Sequence, residues 1–143
     1  MGNTETQPSL DYKLKGDELI LKNLTSIPFE VSKINFKSLN LGGNEICFID
    51  DSLSNKKIEE VNLNSNKLNK LPENLISIQS ITKLNLSSNK LTKEITSDIF
   101  KLKNLKELNL SFNNELKEFN FVEKDFKVVK LNLSSCNLKK ISS

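Results

Sequence analysis

Histidine, tryptophan, arginine and alanine are all absent from the 143 residues. Each absence narrows what the chain does. Without histidine, most general-base, metal-ligand and nucleophile–base arrangements are closed to it. Without arginine, all 21 basic side chains are lysine, and the planar forks that usually read phosphates and base edges are missing. The lysines are interspersed with 18 acids, for a net charge of +3, so no basic stripe marks a nucleic-acid surface. Cys47 and Cys136 are too few for a disulfide framework. No run approaches the ~18 apolar residues of a membrane-spanning helix. The opening Met1-Gly2-Asn3-Thr4-Glu5-Thr6 lacks the basic and apolar regions of a signal peptide, so a cytoplasmic location is expected. The 20 asparagines and the abundance of lysine and isoleucine match A+T-rich coding, which makes composition alone a weak guide to function. Neither a cofactor nor a catalytic activity is expected.

What the chain does have is a repeat. Five segments share the pattern L-x-x-L-x-L-x-x-N-x-L, with other aliphatics at some leucine slots. They open at Phe36, Ile58, Ile81, Leu105 and Val128. The asparagine slot falls at Asn44, Asn66, Asn89 and Asn113 and then at Cys136, in steps of 22, 23, 24 and 23 residues. An earlier half-match, Leu19-Ile20-Leu21 through Leu24 to Ile27-Pro28, reads as a degenerate first repeat or an N-terminal cap.

Over residues 17–143 this pattern resembles the leucine-rich repeat family. The connector Leu71-Pro72 through Leu75 and Ile78 to Ile81 resembles that of intracellular, signalling-type repeats. The longer connector from Leu91 to Leu105, with Leu91-Thr92-Lys93-Glu94-Ile95, resembles the plant-type variant. The resemblance implies an α/β solenoid, a horseshoe with a concave parallel β-sheet and a mostly irregular or 3₁₀ convex side. Residues 1–16 are then a tail or cap segment. Residues 17–143 form the solenoid, a degenerate repeat plus five repeats without a C-terminal cap.

The spacing has a physical reading of its own. Leu39 and Leu41 are two residues apart, so both point to one face of a short strand. A single coil cannot bury that face, whereas stacked coils bury it jointly. Strands are expected to centre near residues 39–41, 61–63, 84–86, 108–110 and 131–133. A buried asparagine left unpaired costs roughly 1–3 kcal/mol. The resemblance implies that Asn44, Asn66, Asn89 and Asn113 bond to backbone groups of their own and adjacent coils, with Cys136 a structural substitute. Four coils separate Cys47 from Cys136, about 19 Å at the usual strand spacing, so both thiols should be free.

The outward positions form columns across the coils. One column is Asn40, Asn62, Asn85, Asn109 and Asn132. It reads either as repeat consensus, contributing little to stability, or as an amide ladder for a ligand. The column before it is Ser38, Glu60, Lys83, Glu107 and Lys130, alternating in sign as a self-neutralising surface does. A third column is Gly42, Asn64, Ser87, Ser111 and Ser134, small and neutral. Glu60, Asn62, Lys83, Asn85, Glu107, Asn109, Lys130 and Asn132 are the candidate partner-binding residues, together with Phe112. Phe112 interrupts the column Gly43, Ser65, Ser88, Phe112, Ser135. Two readings stay open for it: packing partly inward over the longer Asn113–Leu116 bend, or an exposed aromatic anchor. The four N-x-[ST] triplets, at Asn23, Asn85, Asn109 and Asn132, are mostly the L-N-L-S consensus itself.

Met1-Gly2-Asn3-Thr4-Glu5-Thr6 also fits the N-myristoylation pattern at Gly2. A single acyl chain gives at most weak membrane association, and an unmodified N-terminus is the alternative. The bare C-terminal coil suggests self-association through that edge. By resemblance, the function implied is a protein–protein interaction module, an intracellular regulatory or scaffolding subunit of a signalling enzyme. Type-1 protein phosphatase and Ras-like GTPases are its candidate partners. The alternatives are an extracellular receptor for ligands or carbohydrates, and the targeting part of a longer enzyme.

Overall fold

A computed structural model describes residues 11–121 and 126–142. The chain winds as a solenoid whose main sheet has seven strands among the described residues. They are β1 (Tyr12–Lys15), β2 (Glu18–Leu21), β3 (Ser38–Asn40), β4 (Glu60–Asn62), β5 (Lys83–Asn85), β6 (Glu107–Asn109) and β8 (Lys130–Asn132), in that spatial order. From β2 onward every pairing is parallel and in one register, so Leu39, Val61, Leu84, Leu108 and Leu131 lie side by side.

Each strand after β2 ends one residue earlier than the leucine spacing predicts, at the outward asparagine. The cause is local. The side-chain oxygen of that asparagine accepts the backbone N–H two residues on, at Gly42, Asn64, Ser87, Ser111 and Ser134, at 2.9–3.0 Å. This Asx turn bends the chain out of the strand. Bonding between coils nevertheless continues through the bend, as in Leu63 N–H to the Asn85 carbonyl at 2.8 Å.

The first strand departs from an all-parallel expectation. β1 pairs antiparallel with β2 through the two-residue loop Gly16-Asp17. Gly16 sits at φ +60°, as the first central position of a type II′ hairpin requires. The half-match at Leu19–Leu21 is therefore a true solenoid strand, and β1 is the element that flanks it.

The core is the stack of inward aliphatics. Leu84, Leu86, Leu91, Ile95, Ile99, Leu102 and Leu105 are all buried along one coil, and the other coils repeat the arrangement. The far side carries 3₁₀ turns at Phe29–Lys33 and Asp51–Leu53 and short helices α1 (Glu73–Ile76) and α2 (Ile95–Ile99). Pro28 and Pro72 precede two of these turns with φ of −66° and −59°, a torsion the pyrrolidine ring presets. Asp50 does the same task by accepting the Ser52 N–H at 2.9 Å. The inserted residue of the 24-residue step lies in the coil holding α2, the longer of the two helices.

This side is less irregular than expected in one place. β7 (Glu118–Asn120) and β9 (Lys140–Ser142) pair in parallel as a second, two-stranded sheet. Beneath it lies an aromatic cluster. The buried Phe119 ring is 4.9 Å from Phe121 and 6.5 Å from Phe126, and Phe126 meets Phe100 edge-on at 5.0 Å. In the last described coil Val128, Leu131, Leu133 and Leu138 are half-buried and Ile141 is exposed. Gly2, the candidate acylation site, lies outside the described residues.

Candidate functional site: the exposed face of the main sheet

Two asparagine columns four residues apart occupy opposite environments. The inward column is buried and fully bonded to backbone. Asn66 accepts the Ile46 N–H at 2.9 Å and donates to the carbonyls of Leu41, Leu63 and Asn64 at 2.9–3.2 Å. Asn44, Asn89 and Asn113 bond likewise to their own coil and the preceding one. Cys136 keeps only part of this pattern, its thiol donating to the Leu110 carbonyl at 3.1 Å. The coil below explains why a residue without an amide oxygen suffices there. Asn113-Asn114-Glu115-Leu116 holds one extra residue, and the Leu116 N–H turns back to the Asn113 carbonyl at 3.0 Å. Burial pushes the Cys136 thiol pKa above its usual value. Both cysteines are free.

The outward column lies on the exposed face. There Glu60, Asn62, Lys83, Asn85, Glu107, Asn109, Lys130 and Asn132 line one shallow trough of about 460 Å³, with Glu18 and Ser38 at its N-terminal end. Strand stacking alone brings these eight sequence-predicted residues together. The charges neutralise one another locally. Lys83 pairs with Glu60 at 3.2 Å and Lys130 with Glu107 at 3.9 Å. The hydrogen bond to Glu60, then the charges of Glu60 and Glu107, raise the Lys83 pKa. Glu18 accepts from the Asn40 amide at 3.3 Å.

Phe112 stands outside the trough. It is 58% exposed, which overturns the reading in which it packs inward over the bend. The inward seats of that coil are filled by Leu110, Asn113 and Leu116, each fully buried. The backbone explains its column better than surface chemistry does. Gly43, Ser65, Ser88, Phe112 and Ser135 all have φ between +53° and +71°, as does Asn23 two residues after Leu21. This left-handed slot favours glycine or a short polar side chain, and a bulky residue there is strained by roughly 1–2 kcal/mol. Small residues recurring at this slot were a signal for positive φ legible in the sequence. A strained, exposed phenylalanine in their midst is not explained by folding.

A second depression, about 640 Å³, lies on one flank among Lys70, Lys93, Lys117, Glu94, Asp98, Glu115 and Glu118. Among the described residues no cluster of acids and cysteines is arranged to hold a metal ion, and no helix is long and apolar enough to cross a membrane.

Comparison with known proteins agrees with this architecture. Residues 79–124, which contain β5, α2, β6 and β7, match the family model for leucine-rich repeats in two copies. No curated protein matches the chain. The same strand and Asx turn recur in the coils on either side of the matched segment, with the bonded inward asparagine on the N-terminal side and Cys136 in its place on the other. Residues 79–124 are thus leucine-rich repeats, and the coils that flank them resemble the same family.

Proposed function

We propose that the chain is a non-catalytic protein-interaction module whose partner docks on the exposed, concave face of the sheet. Leucine-rich repeats generally mediate protein–protein interaction. The observation that carries the assignment to this face is the trough, where side chains from successive strands converge on one surface without any core role. Its ion pairs are exposed, and such pairs contribute only ~0–1 kcal/mol to stability. They exchange for contacts to a partner at little cost while still selecting among partners by charge. Phe112 supplies an exposed aromatic group three residues beyond the end of β6, in a backbone conformation that folding alone disfavours. The module is a regulatory or scaffolding subunit in the cytoplasm. The signalling-type connectors favour type-1 protein phosphatase or a Ras-like GTPase as partner.

The test is a pull-down from cytoplasmic lysate with the wild-type chain and with the double variant Lys83→Glu/Lys130→Glu, read by mass spectrometry. A phosphatase or GTPase recovered by the wild type and lost by the variant is the expected result. Equal recovery by both, or neither enzyme above background, contradicts the assignment.

Phe112→Asn is a second check. Asparagine tolerates positive φ, as Asn23 does, so stability should rise by about 0.5–1 kcal/mol in denaturant unfolding. Partner affinity should fall by roughly 1 kcal/mol or more. A loss of stability would show that the ring packs after all. Unchanged affinity would remove Phe112 from the binding face.

A further inference from the structure

We infer that the outward asparagines form a row of hydrogen-bond donors that receives the backbone carbonyls of an extended, polyproline II-type peptide segment of the partner. The inference rests on the proposed binding face and names what that face recognises. Its starting point is the Asx turn. The oxygens of Asn62, Asn85, Asn109 and Asn132 each accept a backbone N–H of their own coil. A backbone N–H only donates, so the amide oxygen is fixed on that side and the NH₂ group is fixed on the other. Among the described residues these four NH₂ groups have no hydrogen-bond acceptor within the protein. Asn40 differs, because its NH₂ already donates to Glu18. The row therefore offers four free NH₂ donors on adjacent strands in one register, and at its centre the oxygens of Asn85 and Asn109 are already filled by the N–H and hydroxyl of Ser87 and Ser111.

A matching ligand must be rich in acceptors. A polyproline II segment is the peptide form that leaves every backbone carbonyl unbonded, and where it is proline it has no N–H to satisfy. The spacing agrees. Strands recur every ~4.8 Å, so two coils span ~9.6 Å, against ~9.3 Å for the three-residue turn of polyproline II. The flanking charges have the same two-coil period, Glu60 with Glu107 and Lys83 with Lys130. Residues i and i+3 of the ligand thus meet like surroundings. The neighbouring Ser87 and Ser111 are buried, their hydroxyls donating to the Asn85 and Asn109 oxygens at 2.7 Å and holding those amides in place. The ion pairs leave the face without a strong field, which suits an uncharged segment.

The probe is acetylated hexaproline amide, about 19 Å long at ~3.1 Å per residue, titrated into the ¹⁵N-labelled chain and followed by NMR. The side-chain NH₂ signals of Asn62, Asn85 and Asn109 should shift together, while those of the buried Asn66 and Asn89 stay in place. The double variant Asn85→Asp/Asn109→Asp keeps an oxygen for each Asx turn but removes the donors. It should bind hexaproline about tenfold more weakly with its melting temperature little changed. No shift of the outward signals at millimolar hexaproline overturns the inference, as does undiminished binding by a folded double variant. Cellohexaose moving these signals where hexaproline does not would assign the row to carbohydrate and overturn it equally. If the lysate partner is lost by Lys83→Glu/Lys130→Glu yet retained by Asn85→Asp/Asn109→Asp, the peptide inference fails while the binding face stands.

Discussion

Exchanging Asn66 for aspartate is expected to destabilise the chain by about 3–5 kcal/mol at neutral pH, because it leaves a buried carboxylate without a countercharge. The exchange alters only the NH₂ group, yet that group faces three carbonyl oxygens, of Leu41, Leu63 and Asn64. Asn66 is only 7% exposed, so water cannot take over the contact. Burial and the facing dipoles raise the folded-state pKa of the new carboxyl above its unfolded value of about 3.9. For a carboxyl shifted upward the penalty is full above the folded pKa. It shrinks as pH falls and vanishes below the unfolded pKa. Asn66→Ala should instead cost about 2–3 kcal/mol from unpaired backbone groups, with no comparable recovery in acid. Urea unfolding of both variants at neutral pH and near pH 4 checks this. Equal losses for both at both pH values would show that Asn66 is not bonded as described. Asn62→Ala should cost below about 1 kcal/mol, since it removes one local turn bond at a half-exposed site.

Phe119→Ala is the second large effect, expected at about 3–5 kcal/mol. Phe119 is 1% exposed and sits on β7, in ring contact with Phe121 and near Phe126. Removing it leaves a cavity that the remaining rings cannot close without leaving their edge-on and tilted packing. It also frees β7 from the core, and among the described residues β9 pairs only with β7. In a solenoid each coil rests on its neighbour. The amides of Lys140–Ser142 should therefore exchange with solvent sooner than those of Lys83–Asn85. Calorimetry together with hydrogen exchange reads both effects. A loss below about 1 kcal/mol would place the stability of the last coils elsewhere.

How far the sequence foretold this molecule depends on which interactions repeat. The Leu-x-Leu pairs and the asparagine three residues after the second leucine recur in almost every coil, so a single chain shows them and one physical argument accounts for all copies. The inward ladder and the eight-residue outward face follow from that period. Features that occur once were invisible to it. β1 had only the Gly16-Asp17 loop to signal it, which is weak beside five repeats. The β7–β9 sheet joins segments whose pairing partners lie about one coil apart but outside the repeated motif. The phenylalanine cluster draws on Phe100, Phe119, Phe121 and Phe126, which share no repeat position. Phe112 stood out as an exception, but the reading in which it packs inward failed because periodicity gives a side chain's face and not its φ. The Asx turns were likewise hidden, since the outward asparagine looks like decoration until its oxygen is seen bonded to the next turn.

The central claim is that the exposed face of the sheet, and not the flank, receives the partner. Calorimetric titration of the recovered partner against two charge-reversed variants tests it most directly. Lys83→Glu/Lys130→Glu changes the trough, and Lys93→Glu/Lys117→Glu makes the same change of charge on the flank. The account predicts that the trough variant loses about tenfold or more in affinity while the flank variant binds as the wild type does. Loss of affinity in the flank variant alone, with the trough variant unaffected, would contradict it.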